Sequence, residues 1–244
     1  MRNIQLIIEY DGSNYCGWQR QNNGISIQQK IEEALEIISG EKLSITGAGR
    51  TDAGVHAYAQ SANFYTESKI PIDKFPFAVN SALPSDIAVI KAYERDESFN
   101  SRYSAIEKTY IYKIYNRRIP SPFYARYAYH CPVDINIEKM IMASKQIIGK
   151  HDFTSFMATG GQVKSTVRDV YDIDIYKEGD IITISVRGNG FLYNMVRIIS
   201  GTLLYAGIGK IDPSDIEKII DSKDRTLAGI TLPACGLYLK EIVY

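Results

Sequence analysis

The sequence is poor in the residues that hold metals and disulfides. Its 244 residues include three cysteines and three histidines. Cys16, Cys131 and Cys235 are widely separated, odd in number and never part of a C-x-x-C pair. That pattern argues for reduced thiols and against a structural zinc site or a disulfide framework. His56, His130 and His151 lack helical H-x-x-x-H spacing, which makes metal-hydrolase and serine-triad readings poor. The phosphate-cradling G-x-x-x-x-G-K-[ST] loop is missing too. Gly209-Lys210 is followed by Ile211 and has Leu204 where the first glycine belongs, and the DAGV at residues 52–55 misplaces the glycine of a GTPase D-x-x-G element. Nucleotide hydrolysis, and with it a nucleotide cofactor, is not expected.

Other scarcities narrow the class further. No apolar run reaches the roughly 18 residues of a membrane span. The opening MRNIQLIIEYDG is too short and too charged for a signal peptide, so no membrane is expected and the cytoplasm is the default compartment. Net charge is zero, 28 basic against 28 acidic residues, so any basic surface must be local. The hydrophobic share of 45% and charged share of 23% are ordinary for a globular chain. The length suits one large domain or two halves of about 100–130 residues. What is abundant is tyrosine: 18 against a single tryptophan, a supply of rings that either stack on bases or pack.

Periodicity gives the element order. Residues 3–10 read as a strand ending at Asp11-Gly12. Ser26 with Gln29 forms a capping box; Ile27, Ile31, Ala34, Leu35 and Ile38 share one face; Gly40 stands where that helix would stop. Strands at 43–48 and 57–65, a proline-bounded helix at 72–81 and a strand at 87–93 complete a β-α-β-β-α-β order. The second half repeats it, with a strand at 103–115, a helix at 137–148, a hairpin of 167–176 and 181–187 through 177–180, a helix at 191–206, an extra helix near 212–222 and a closing strand at 237–243. The expected class is α+β, two ferredoxin-like halves at 1–103 and 104–244 whose mostly antiparallel sheets join, with helices packed on one side.

Three stretches carry candidate chemistry. The first is GAGRTDAGVH at residues 47–56, where flanking glycines let the backbone approach a ligand and Arg50 and Asp52 project from a loop after a strand. Taken alone, it is equally a tight polar turn with a surface ion pair, and His56 equally a satisfied loop or core residue. The second is KTYIYKIYN at 108–116, whose alternation places Tyr110, Tyr112 and Ile114 on one face. The third is GNGFLYNMVR at 188–197. Arg197 lies among Met195, Val196, Ile198 and Ile199, so it either snorkels or pairs with a buried carboxylate, because stranding an ion costs several kcal/mol, on the order of 3–5. Asp52 is a candidate partner.

These stretches resemble the TruA family of tRNA pseudouridine synthases. The resemblance runs through EYDGSNYCGWQRQ at 9–21, SIQQKIEEAL at 26–35, GAGRTDAGVHA at 47–57, NSALPSDIAV at 80–89, FNSRYSAIEKTYIYKIYN at 99–116, GKHDFTSF at 149–156, NGFLYNMVR at 189–197 and DRTLAGITLPACGLYL at 224–239. It implies the pseudouridine synthase fold, isomerisation of uridine to pseudouridine and no cofactor or metal. By the same resemblance the catalytic aspartate falls on Asp52, the active-site tyrosine on Tyr110, the helix arginine that pairs with the aspartate on Arg197, and the arginine that holds RNA around a flipped base on Arg50. It also implies a homodimer holding one tRNA across both subunits and acting on anticodon stem-loop uridines at tRNA positions 38–40. The family usually reads H-M-V-R-N in the last helix, whereas here Asn194 precedes Met195 and Ile198 follows Arg197. Arg20, Arg102, Lys150 and Arg168, with Arg117, Arg118 and Lys164, are candidate phosphate contacts. The alternatives are a non-catalytic tRNA-binding or chaperone protein, and a synthase with a different target uridine.

Overall fold

The computed structural model describes residues 1–22, 24–161 and 163–244. The chain divides into two compact units, residues 1–106 with 238–244, and residues 107–237. The cut lies at 106/107 rather than 103/104, and the C-terminal strand belongs with the first unit. Among the described residues no helix is long and apolar enough to cross a membrane.

The first unit contains β1 (Arg2–Tyr10), α1 (Ile27–Ser39), β2 (Thr46–Gly47), β3 (His56–Thr66), α2 (Phe75–Asn80), β4 (Ile87–Arg95) and most of β10 (Leu237–Val243). Its sheet runs β4-β1-β3-β10, with β2 on β3. The pairs β1–β3 and β1–β4 are antiparallel, while β10 joins β3 in parallel, Tyr238 opposite His56. Strand alternation puts Ile4, Leu6 and Ile8 in the core with Ile27, Ile31 and Leu35 of α1, all fully buried. Phe64 of β3 meets Phe75 of α2 with ring centroids 6.2 Å apart. The α1 boundaries follow its caps: Ser26 Oγ accepts from Gln29 N at 3.2 Å, and Gly40 closes the helix at φ 73°.

The strand expected at 43–48 shrinks to two residues, for a reason visible at Ile45. Its N–H donates to Glu32 Oε1 and its carbonyl accepts from Gln28 Nε2, both at 3.2 Å. Side chains of α1 therefore occupy the groups a ladder would need. On the opposite face of the sheet, Asn3, Gln5, Ser61, Asn63 and Ser101 form a buried polar layer.

The second unit contains β5 (Glu107–Asn116), β6 (Tyr129–Cys131), α3 (Ile137–Ser144), β7 (Gly149–Asp152), β8 (Val167–Glu178), β9 (Ile181–Gly188), α4 (Met195–Gly207) and α5 (Ile216–Ser222). Its sheet order is β5-β9-β8-β7 with β6 parallel to β5. The hairpin β8–β9 turns through Gly179 and Asp180, tighter than the four-residue loop expected. Tyr112 and Ile114 face Ile184 and Ile182 across the β5–β9 ladder, all fully buried. Helix α4 is buried on nearly every side, as its continuous apolar sequence requires. It starts at Met195, not at 191, because Asn194 takes φ 60°. Strand β5 starts at Glu107, not at 103, because Asn100 captures the preceding turn: its Oδ1 accepts from the N–H groups of Arg102 at 2.9 Å and Tyr103 at 3.2 Å. Both units thus have the expected α+β character.

Candidate active site

In the first unit the loop between β2 and β3 carries Arg50 and Asp52. Its backbone is tied at nearly every step. Ala48 N donates to Ser61 O at 2.8 Å, Gly49 O accepts from Gln60 Nε2 at 2.9 Å, and Thr51 O accepts from Trp18 N at 3.0 Å. Val55 N then closes a turn on Asp52 O at 3.1 Å. Thr51 is anchored again through its hydroxyl, 2.8 Å from the Tyr10 phenol. Burial pushes the Tyr10 hydroxyl well above its ordinary pKa, against the opposing pull of Thr51 and Gln60, so it stays neutral. Within this frame Asp52 is half-buried and Arg50 exposed.

The segment 11–18 packs directly on that loop. A Cβ on Gly12 would overlap the Val55 carbonyl, and one on Gly17 would stand 2.6 Å from Thr51 O and 3.1 Å from the Asp52 carbonyl carbon. Gly17 also sits at φ 105°, a conformation only glycine adopts without strain. Two motifs separated by some thirty residues of chain are therefore one structural piece. His56 belongs to its frame. It is 2% exposed, its Nδ1 accepts from Gly12 N at 3.2 Å beside Asp11 Oδ1 at 3.1 Å, and its ring stacks on Tyr238 at 4.7 Å.

In the second unit Arg197 stands one turn into α4, half-buried. Its NH1 donates to Asn194 Oδ1 at 2.7 Å and its Nε to Leu232 O at 2.6 Å. Asn194, at the N-cap position, thus gives its side-chain oxygen to the guanidinium instead of to the helix backbone. The strip 229–233 that presents the Leu232 carbonyl is itself fixed. Arg225 donates to Gly229 O at 2.9 Å and Thr231 Oγ1 at 3.0 Å, and the Tyr112 hydroxyl donates to Pro233 O at 2.7 Å. Burial raises the Tyr112 pKa far above its usual value and raises the Cys235 thiol as well, the nearby Arg197 charge opposing both. Tyr110, 9% exposed on β5, meets Phe191 edge-on at 5.4 Å.

The remaining candidates separate by their partners. Arg20 binds Glu32, a 7% exposed carboxylate, at 2.8 Å, so it serves first as a counter-ion for a buried charge. Arg102 lies over the Tyr103 ring at 5.6 Å. Lys150 is exposed on β7. Arg168 on the adjacent β8 donates to Ser165 O and Val167 O at 2.9 and 2.7 Å, and burial lowers its pKa. Sequence reasoning gave no role to Tyr10, Gly17, Trp18, Gln60, Asn194 or Arg225. The matching stretches at 9–21, 189–197 and 224–239 were the available signal for all but Gln60, which lies outside every matching stretch, and they lacked the pairing that gives them meaning. No group of three or more His, Cys, Asp and Glu side chains suited to a metal exists among the described residues.

A family model described as tRNA pseudouridine synthase matches residues 6–104 and 143–244. The chain belongs to the tRNA pseudouridine synthase family. It is 50% identical over 244 residues to the tRNA pseudouridine synthase A of Thermoanaerobacter sp. (strain X514), covering 100% of both chains. The proteins of that name from Caldicellulosiruptor saccharolyticus and Ruminiclostridium cellulolyticum are 50% and 51% identical, again with 100% of both chains covered. The chain is accordingly an isomerase that converts uridine in tRNA to pseudouridine. Of the residues singled out in this tRNA pseudouridine synthase, Arg50, Asp52 and Arg197 lie inside the matched segments, and Tyr110 lies in the stretch between them.

Proposed function

We propose that this enzyme modifies uridines 38–40 of the tRNA anticodon stem-loop, with Asp52 as its catalytic carboxylate. The supporting observation is the Asp52 loop itself: a half-buried carboxylate on a backbone tied at Ala48, Gly49, Thr51 and Val55. Such fixation of a charged group on a loop suits a group held for reaction.

The reaction breaks the N1–C1′ bond, turns the uracil and forms a C5–C1′ bond; the C5 proton leaves and N1 regains one. No electrons are gained or lost, so the isomerisation requires no redox partner. Asp52 either attacks C1′ or removes a sugar proton to open a glycal route. Both need the ionised carboxylate. Desolvation by the bound base raises a carboxyl pKa by up to ~3–5, and a neighbouring guanidinium lowers it by ~1–3. By likeness to the family Arg197 is the arginine assigned to that task, and within the second unit Asn194 and the Leu232 carbonyl hold it. Tyr110 stacks on the target uracil, a contact worth roughly 1–3 kcal/mol, and offsets part of the few kcal/mol that flipping requires. Arg50 holds the RNA around the flipped nucleotide. Arg102, Lys150 and Arg168 contact phosphates, with Arg20 a lesser contributor because Glu32 already binds it. The working form is a cytoplasmic homodimer that holds one tRNA across both subunits.

The test is Asp52→Asn. With tRNA transcripts carrying tritium at uridine C5, the wild type releases label and the variant releases none, while the variant's tRNA affinity stays within a few-fold. A variant that still turns over removes Asp52 from the role. Pseudouridine mapping on the wild-type product checks positions 38–40.

A further inference from the structure

The turn at residues 100–104 combines a fully buried anchor with a fully presented ring. Ser101 is 0% exposed. Its N–H donates to Asn63 Oδ1 at 2.8 Å, its hydroxyl lies 3.3 Å from Ser61 Oγ, and its carbonyl accepts from the Tyr244 phenol at 3.1 Å. The layer beneath is closed as well, Gln5 Nε2 donating to Ser61 Oγ at 2.8 Å and Asn63 Nδ2 to Asn3 Oδ1 at 2.9 Å. A buried polar network with its partners in place is rigid. On this base Tyr103 is 79% exposed, with the Arg102 guanidinium 5.6 Å from its ring centroid. A ring so exposed buries little apolar area, and an exposed cation–π contact is weak. Folding alone gives no reason to present it.

Its position supplies one. Ser61 of β3 holds two things: its hydroxyl holds Ser101, and its carbonyl accepts from Ala48 N at 2.8 Å in the loop of Arg50 and Asp52. The adjacent Gln60 fixes Gly49 O. One short stretch of strand therefore sets the place of both the turn and the Asp52 loop within the first unit. We propose that Tyr103 is a stacking platform for a base of the tRNA that flanks the target uridine, with Arg102 on the adjoining phosphate. The occupant is RNA because a π-face beside a cation matches a base beside a phosphate, and stacking of this kind tolerates any base. The inference rests on the proposed binding of tRNA at Asp52.

The test is equilibrium binding of unmodified tRNA transcript to the full-length protein. Tyr103→Ala weakens binding by about 5- to 150-fold, the range found when one base–aromatic stack is removed. Tyr103→Phe keeps wild-type affinity, and Tyr103→Leu falls with the alanine variant. Arg102→Ala lowers the slope of log Kd against log salt by about one phosphate contact. Three results would overturn the inference: wild-type affinity for Tyr103→Ala, a loss for Tyr103→Phe as large as for alanine, or an altered sedimentation coefficient of the RNA-free Tyr103→Ala protein, which would assign the ring to contacts between copies. Affinity is read independently of turnover. A wild type that binds tRNA but makes no pseudouridine would defeat the Asp52 reading, and the Tyr103 series would still decide this one.

Discussion

Gly17→Ala isolates the contact that shapes the Asp52 loop. Two effects of the added methyl can be worked from the structure. Gly17 sits at φ 105°, where an L-residue costs about 1–3 kcal/mol. The new Cβ would also lie 2.6 Å from Thr51 O, and that gap must open to at least 3.0 Å, or 3.4 Å for ordinary contact. Both sides of the contact are backbone, so the 51–53 peptides shift by a large part of an ångström. A misplacement of 1 Å at a reacting group costs on the order of 100-fold in rate, so the expected fall in kcat is about 10-fold or more per folded molecule. Gly40→Ala is the control: φ is 73°, with nothing within 4 Å of the added Cβ. It costs about 1–2 kcal/mol of stability by strain and leaves the rate unchanged. Single-turnover tritium release from C5-labelled tRNA reads the rate, and urea denaturation reads the stability. Equal rates for the two variants would show that the packing of residues 17 and 51–53 does not set the reacting geometry.

Two further outcomes follow from the second unit. Tyr112→Phe deletes the hydroxyl of a fully buried ring, which donates to Pro233 O at 2.7 Å in a part-buried contact. Loss of one such hydrogen bond costs about 0.5–1.5 kcal/mol, so the urea midpoint drops, and an unchanged midpoint contradicts the assigned bond. The Asp152 carboxyl is held well below its ordinary 3.8 by hydroxyls of Thr166 and then Thr154, and by Lys223. A folded-state pKa below the unfolded one gives stability that is complete above about pH 4 and is lost as pH falls further. Asp152→Asn therefore flattens stability against pH below 4 in urea titrations run from pH 6 to 2, and a variant as acid-sensitive as the wild type would refute this.

Chemical signals between near neighbours were legible in the residues alone. Ser26 and Gly40 bound α1 because capping bonds reach only a few residues. The glycine-flanked loop marked Asp52 and Arg50 as candidates, and an arginine among aliphatics marked Arg197, because each breaks a local pattern; their proposed roles come from the family resemblance. Four features needed the folded chain. Ile45 looks like strand, but its hydrogen bonds go to Gln28 and Glu32. Asn194 looks like the interior of a helix but turns to φ 60° and gives its oxygen to Arg197. Strand β10 returns to lie parallel to β3, and the glycines at 12 and 17 show their purpose only against residues 51–55. A backbone group can accept whichever partner the fold delivers, and contacts between distant segments leave no mark in the spacing of either one. The residues named the chemistry, and packing across dozens of positions decided how rigidly it is held.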